Sequence, residues 1–507
     1  RLAAAAPPPP DHARWDGAGR IELVGRAVDF GSCDAIDFGH AAEGPLWGYQ
    51  LHFFEWARSP AAAPEARAQA VEAWLRSQRA ATGWDPHPIS LRVLSWLKLR
   101  LSGELPADFP GSPADARLRA SLASQLDWLS RNPETRLQAN HLLDNWIAVL
   151  AGGLALETAG SERWLAAVEP LGSQLHEQLG ADGAHCERSP MYHAVLLEHL
   201  LDLLSLARVA GARAPAGLVG LLLDACRRML TALETWTHPD GEIALLGDAV
   251  FGIAQRPVVL ARYAEALGVA AAASHEPGLL RSTGHARLET AELCWIGSFG
   301  GPSPAHQPGH AHCDALAFEL SVQGERVVTD TGVFEYVAGE RRQHARATRS
   351  HATLEVGGRE QAEIWSAHRV GGRPRVALEL WEPGRAVEGT CTGWATPRTT
   401  HRRRVEIAGR ALVVRDRLEG RTASLRASLP LAPGLEPRLD GSVARVALAG
   451  GGALRVELPA GLSWRVERGP YYPRFGEEHS RAVLVGEAGA FESGSWRFVV
   501  EREAGGS

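Results

Sequence analysis

The 507-residue chain has no cysteines at C-x-x-C spacing. Its six cysteines, Cys33, Cys186, Cys226, Cys294, Cys313 and Cys391, are scattered. That pattern excludes a zinc ribbon and supplies no disulfide framework, so buried free thiols are expected. Cys313 adjoins His312, but on a strand neighbouring side chains point to opposite faces, so a shared metal is not expected. No apolar run reaches the roughly 18 residues that span a bilayer. Positive charge is not in excess: the net charge is −6, with no long basic stripe, which argues against a nucleic-acid partner. No Asp-rich loop is spaced for calcium, and none is expected to be needed. The first residue is Arg1, not Met, so the start reads as trimmed, and a removed signal peptide remains open.

What is present is ordinary in bulk, with 45% hydrophobic and 22% charged residues. The length predicts two or three domains. "AAAAPPPP" opens a flexible or polyproline-like lead, assigned to residues 1–44. Residues 45–284 carry apolar side chains at three- and four-residue spacing, as in "PISLRVLSWLKLRLSG" and "HAVLLEHLLDLLSLARVAG". Helices succeed one another there without a tight repeat, which predicts stacked hairpins in an incomplete (α/α) toroid. From 285 to 507 the texture changes to short alternating runs cut by Gly-rich turns, such as "RPRVALELWE" and "RRRVEIAGRALVVRDRLEG". That predicts an antiparallel β-sandwich. The fold class expected is therefore a multi-domain α + β chain, helices first.

Within "PGHAHCDALAFEL", His310 and His312 stand two apart, which on a strand puts both on one face. Asp330 in "VVTDTG" and His351 in "RSHATLEV" follow at the edges of later strands. Two imidazoles and a carboxylate make a zinc-type ligand set. Among 20 histidines such a triplet also arises by accident, and spacing alone favours hydrogen-bonded interior residues. In the helical part, "QANHLLDNW" places Asn140 and His141 at a helix start, where Asn140 would serve as an N-cap. "CERSPMYH" holds Glu187, a Ser189–Pro190 helix start and Tyr192. Asp240, Asp248, His87 and His238 read as structural. Trp47, Trp56, Trp84 and Trp146 read mainly as core, with one or two able to stack on a ring-shaped ligand. Arg341, Arg342, Arg346 and Arg349 form either a solvated loop or a contact for carboxylates or sulfates.

"QANHLLDNW", "DGAHCERSPMYH", "HPDGEIALLGDA", "GHAHCDALAFELSVQGERVVTDTG" and "RATRSHATLEVGGREQAEIW", in that order, resemble the heparinase II/III superfamily of polysaccharide lyases. "LWGYQLHFFEWA" and "GWDPHPISLRVLSWLK" resemble the helical module of its heparinase III-like branch. The resemblance implies β-elimination on an acidic, uronate-bearing polysaccharide. Asn140 and His141 would face the substrate, and Tyr192 and His310 would serve as acid/base, with Tyr192 able to take both roles and His310 or His141 the base for the opposite sugar epimer. His312, Asp330 and His351 would hold a structural zinc ion. Glu187, Tyr336 and Arg349 would line the binding site.

Chemically, the proton on C5 of a uronate is weakly acidic until the adjacent carboxylate is neutralised. A preorganised donor such as the Asn140 amide supplies this, at about 3 kcal/mol for one donor. The expected substrates are heparan sulfate, heparosan, hyaluronan or chondroitin. Alginate or a bacterial exopolysaccharide is the alternative. A non-catalytic carbohydrate-binding protein on the same scaffold and a metal-dependent hydrolase are the competing classes. An enzyme of this kind would work in the periplasm or be secreted.

Overall fold

The computed structural model describes residues 2–4, 6–77, 81–156, 160–274, 276–393, 399–420 and 424–501. Arg1 and Ala5 of the lead and the last six residues, 502–507, lie outside the described residues. The chain divides into two compact units. One comprises Arg1–Leu179, Ala194–Leu230 and Gly252–Ala272, and the other Gly180–His193, Thr231–Phe251 and Ala273–Ser507.

The first unit is mostly helical. Pro45, Pro64, Pro86, Pro113 and Pro257 each open a helix. Proline suits that position because its fixed φ is already helical and its missing N–H would be unpaired there anyway. The helix Pro86–Leu101 is buried nearly all round, charged residues included. Arg92 donates to Gln125 Oε1 and to the Gly83 carbonyl, and its guanidinium lies 4.0 Å from the centre of the Trp74 ring. Lys98 sits between Glu198 (2.9 Å) and Asp202 (2.8 Å). A buried cation survives only with such partners. In the helix Ala139–Ala155, a side chain at Gly152 would collide with Leu126, its Cβ falling 2.2 Å from Cδ1, so glycine permits the close helix packing. Trp47 and Trp56 are core, and Trp84 packs edge-on against Trp128.

The lead is less loose than its composition predicts. Residues Ala13–Trp15, Arg20–Leu23 and Arg26–Asp29 pair as a three-stranded antiparallel sheet. The Pro7 and Pro8 carbonyls accept hydrogen bonds from Arg58 and Gln255.

The second unit is built on antiparallel sheets. A five-stranded meander runs from Leu279–Leu280 through Glu325–Val328, in chain order. An eight-stranded sheet begins with Arg375–Glu382 and continues in order to Ala411–Gly420, which pairs with the last strand, Ser493–Glu501. A four-stranded sheet holds Leu354–Val356, Leu425–Pro430, Ser463–Tyr471 and His479–Ala488. Alternate residues turn inward, as in Ala411–Gly420, and Trp295, Phe318, Val405, Val414, Leu429 and Phe498 share one core. Inside it Arg403 pairs with Asp416 and donates to the carbonyls of Leu316 and Ala352, which fixes the chain next to His351.

Residues 180–193 and 231–251 belong to this unit although they lie among helices in the sequence. Buried polar contacts hold the second excursion. His238 bridges Ser321 and Glu319, and the Leu245 N–H donates to Glu319. The structural expectation for His238 therefore stands. Among the described residues no helix is long and apolar enough to cross a membrane.

Candidate active site

The site in the second unit is organised by Asp248, which the sequence presents only as a loop brace. Its carboxylate accepts from His310 Nδ1 at 2.8 Å on one oxygen and from His312 Nε2 at 2.8 Å on the other. Arg342 grips both oxygens at once. The backbone joins in, because Asp248 N–H donates to the His310 carbonyl at 3.0 Å. Gly247 allows that approach: its φ is +58°, and a Cβ there would lie 3.2 Å from the His310 carbonyl oxygen. Burial alone would push the Asp248 carboxyl up. The Arg342 charge and the two imidazole hydrogen bonds outweigh it and hold the group well below the usual range.

An ionised Asp248 fixes both tautomers. His310 donates from Nδ1 to Asp248, and its Nε2 lies 3.6 Å from Glu187 Oε2. His312 donates from Nε2, leaving Nδ1 as the lone-pair nitrogen. Burial lowers His312 to about 4 despite Asp248, so its ring is neutral at pH 7. The two histidines precede the strand Phe318–Val322 and occupy a loop, not the strand itself. Their pairing comes from a shared carboxylate and not from the pleat.

Tyr192 lies in the first turn of the helix Pro190–Ala210. The start is as the sequence predicts, with Pro190 first and Ser189 Oγ accepting from the Tyr192 N–H. Ser189 also donates to the Asp248 carbonyl at 2.7 Å, tying this helix start to the hub. Just before it, Arg188 adopts a left-handed φ of +59°, uncommon for a residue with a side chain. The Tyr192 ring packs 4.3 Å from the His310 ring, and its hydroxyl lies 2.9 Å from that of Tyr336. Burial, reinforced by the Asp248 charge, raises Tyr192 far above the ordinary phenol range, so it is a protonated acid at neutral pH. His368 completes the group, with its ring 6.0 Å from His310 and 5.2 Å from Tyr336. Glu187, Gly247, His285, Gly301 and His310 border a small cleft.

Next to this lies a set fit for a metal. His312, Asp330 and His351 are all buried, and one ligand atom from each lies within 4.8 Å of the others. His312 Nδ1 and His351 Nε2 are buried nitrogens without a hydrogen-bond partner. Asp330 is held by its N–H to Glu319 Oε1 and accepts from the Thr331 N–H, both at 2.7 Å. Two imidazoles and a carboxylate suit a divalent ion of the zinc class. Asp248, His310 and His368 also approach one another at ligand spacing. There the Arg342 guanidinium already covers both carboxylate oxygens, and a second cation would be repelled. Cys313 takes no part in either set, and its thiol faces the Ala362 carbonyl.

Asn140 and His141 belong to the first unit. Asn140 is not the N-cap expected: the helix Ala139–Ala155 starts two residues earlier than such a cap would set, with Gln138 as cap at φ +60° and Ala139 also left-handed at φ +51°. Asn140 is therefore a buried residue inside the first turn. His141 stacks flat on His87 at 3.8 Å, and its Nδ1 lies 2.9 Å from Glu134 Oε2. Burial keeps His87 far below the ordinary histidine range, so it is a neutral shelf under His141.

The basic cluster divides, and neither sequence reading fits all of it. Arg342 and Arg346 are fully buried, and Arg346 is spent on backbone carbonyls. Arg341 is exposed and paired with Glu478, and Arg349 is exposed. Sequence reasoning missed the roles of Asp248, Arg342 and His368. Asp248 carries no local signal, because its partners lie far along the chain.

Residues 116–272 match the family model described as Heparinase II/III N-terminus, and residues 272–494 the one described as Heparinase II/III-like, C-terminal. Solved structures that share the fold include two named lyases. The heparan sulfate lyase HepC from Pedobacter heparinus has 21% identity and a TM-score of 0.62, covering 95% of this chain and 80% of its own. Heparinase III has 17% identity and a TM-score of 0.73, covering 92% of this chain and 80% of its own. No curated protein is significantly similar in sequence. The chain belongs to the heparinase II/III family and, with it, to the polysaccharide lyases.

Proposed function

We propose that this lyase cleaves a uronate-bearing glycosaminoglycan by β-elimination, with His310 as base and Tyr192 as acid. The observation that carries the assignment is the 4.3 Å packing of these two rings. Asp248 takes the His310 Nδ1–H and leaves a lone pair on Nε2. Tyr192 keeps its proton. In the step proposed, His310 Nε2 removes the C5 proton and the electron pair forms the C4–C5 double bond. The C4–O bond breaks, and the Tyr192 phenol protonates the departing oxygen. Tyr336 orients the Tyr192 hydroxyl through their hydrogen bond. Asn140 and His141 neutralise the uronate carboxylate, and Glu187 and Arg349 contact the sugar chain. Names of the structurally similar enzymes support heparan sulfate as the first polymer to try. A periplasmic or secreted location is proposed with it, since such polymers lie outside the cytoplasm.

We assign zinc to His312, Asp330 and His351 as a structural ion. Once bound it would cross-link loop and strands beside His310. Its expected signature is about one zinc per chain in protein purified without chelator. Chelation should lower the melting temperature, and His351→Ala should lose the metal. A metal-free wild-type protein with the same melting temperature contradicts the assignment.

The function is tested by mixing the enzyme with heparan sulfate, heparosan, hyaluronan, chondroitin and alginate, and following far-ultraviolet absorbance. An unsaturated uronate absorbs there and a hydrolysis product does not. A rise with a glycosaminoglycan is expected. A rise with alginate alone moves the substrate to the alternative class, and new reducing ends without absorbance overturn elimination.

A further inference from the structure

The strands Glu363–Trp365 and Arg369–Gly371 form a short hairpin beside the site. Its register pairs Trp365 with Arg369 and Glu363 with Gly371, so these four share one face, while Ile364 and Val370 share the other. Buried arginines pin the turn. Arg342 Nε donates to the Ala367 carbonyl at 2.8 Å, and Arg346 donates to the Ala367 and Arg369 carbonyls. Arg342 is also the residue that holds Asp248, so the hairpin is fixed relative to His310.

On this fixed support Trp365 is 48% exposed, which is unusual for the largest apolar side chain. Its indole lies across Gly371, where a Cβ would come within 3.1 Å of Cζ3. The Cζ3–Cη2 edge of the indole thus lies beside Gly371, with Glu363 Oε2 next to it. Arg369 beside it is exposed, and its guanidinium has no carboxylate partner among the described residues. Arg373 and Arg375 are unpaired in the same way, whereas Arg402, Arg404 and Arg415 on neighbouring strands are each matched to glutamates. The segment returns to the site as well. Pro374 O and Val376 Cγ2 lie 3.6 Å and 3.3 Å from where a Cβ of Gly301 would stand, and Gly301 borders the cleft with His310.

We propose that this hairpin is a binding platform for an acidic sugar next to the scissile bond. The Trp365 indole stacks on the apolar face of the pyranose ring, and Arg369 takes its carboxylate or sulfate. The platform rests on the lyase reading, because it needs a uronate polymer as ligand.

Trp365→Ala, Trp365→Phe and Arg369→Gln are measured on heparosan and heparan sulfate, for KM and kcat, and for equilibrium binding in the Tyr192→Phe background. Trp365→Ala is expected to raise KM and the dissociation constant about tenfold with kcat within about twofold, and Trp365→Phe to recover most of the loss. Arg369→Gln should weaken both polymers equally if it takes the carboxylate, and mainly heparan sulfate if it takes the sulfate. Unchanged KM and binding in Trp365→Ala and Arg369→Gln, with wild-type binding intact, overturns the platform alone. Absence of polymer binding by the wild type overturns the lyase reading together with it.

Discussion

Replacing Tyr192 with Phe lowers kcat on the cleaved polymer by about 10²- to 10⁴-fold, the range one positioned acid contributes. The fold survives, because only a hydroxyl leaves. Tyr192 is packed through its ring against His310, and that ring remains. The Tyr336 hydroxyl loses one partner, a change of about 1 kcal/mol. Circular dichroism and melting temperature should therefore stay near those of the wild type while turnover collapses. The phenol's high ionisation range adds a pH statement: activity should show no loss from Tyr192 deprotonation on the alkaline side near neutrality. A Phe variant within a few-fold of wild-type kcat removes Tyr192 as the acid.

Asp248→Asn has the second large effect, and it acts on stability as well as rate. The substitution keeps the shape and removes the charge. Arg342, fully buried, then faces no anion, and a broken buried pair costs about 3–5 kcal/mol. The amide NH2 also faces one of the two rings that donate to the carboxylate, so either His310 or His312 loses its imposed tautomer. A large fall in melting temperature is expected, together with loss of turnover at temperatures where the variant remains folded. Wild-type stability and turnover in Asp248→Asn would mean that the hub does not organise the site.

Much of this was legible in the sequence, for identifiable reasons. The change from helical to strand periodicity marks the architecture because burial on one face imposes it. Tyr192 was placed by its Ser-Pro helix start, a local feature. The set His312, Asp330 and His351 is marked by the resemblance and not by spacing alone, which favours interior residues. Asp248 was not legible, because its partners His310 and Arg342 lie far along the chain and only folding brings them together. Arg342 looked like one of several surface arginines, since composition does not distinguish a cation facing water from one facing a buried carboxylate. The N-terminal sheet was missed because its strands are three or four residues long, too short to show alternation. Asn140 looked like a cap because an asparagine before an apolar run usually is one. Two left-handed residues, Gln138 and Ala139, start the helix earlier.

The most direct test of elimination is cleavage in heavy-oxygen water, with the products weighed by mass spectrometry. Elimination breaks the C4–O bond without adding solvent, so the fragment masses should sum to that of the parent chain, with no heavy oxygen incorporated. Fragments heavier by one water that carry the label would show hydrolysis and contradict the roles given to His310 and Tyr192.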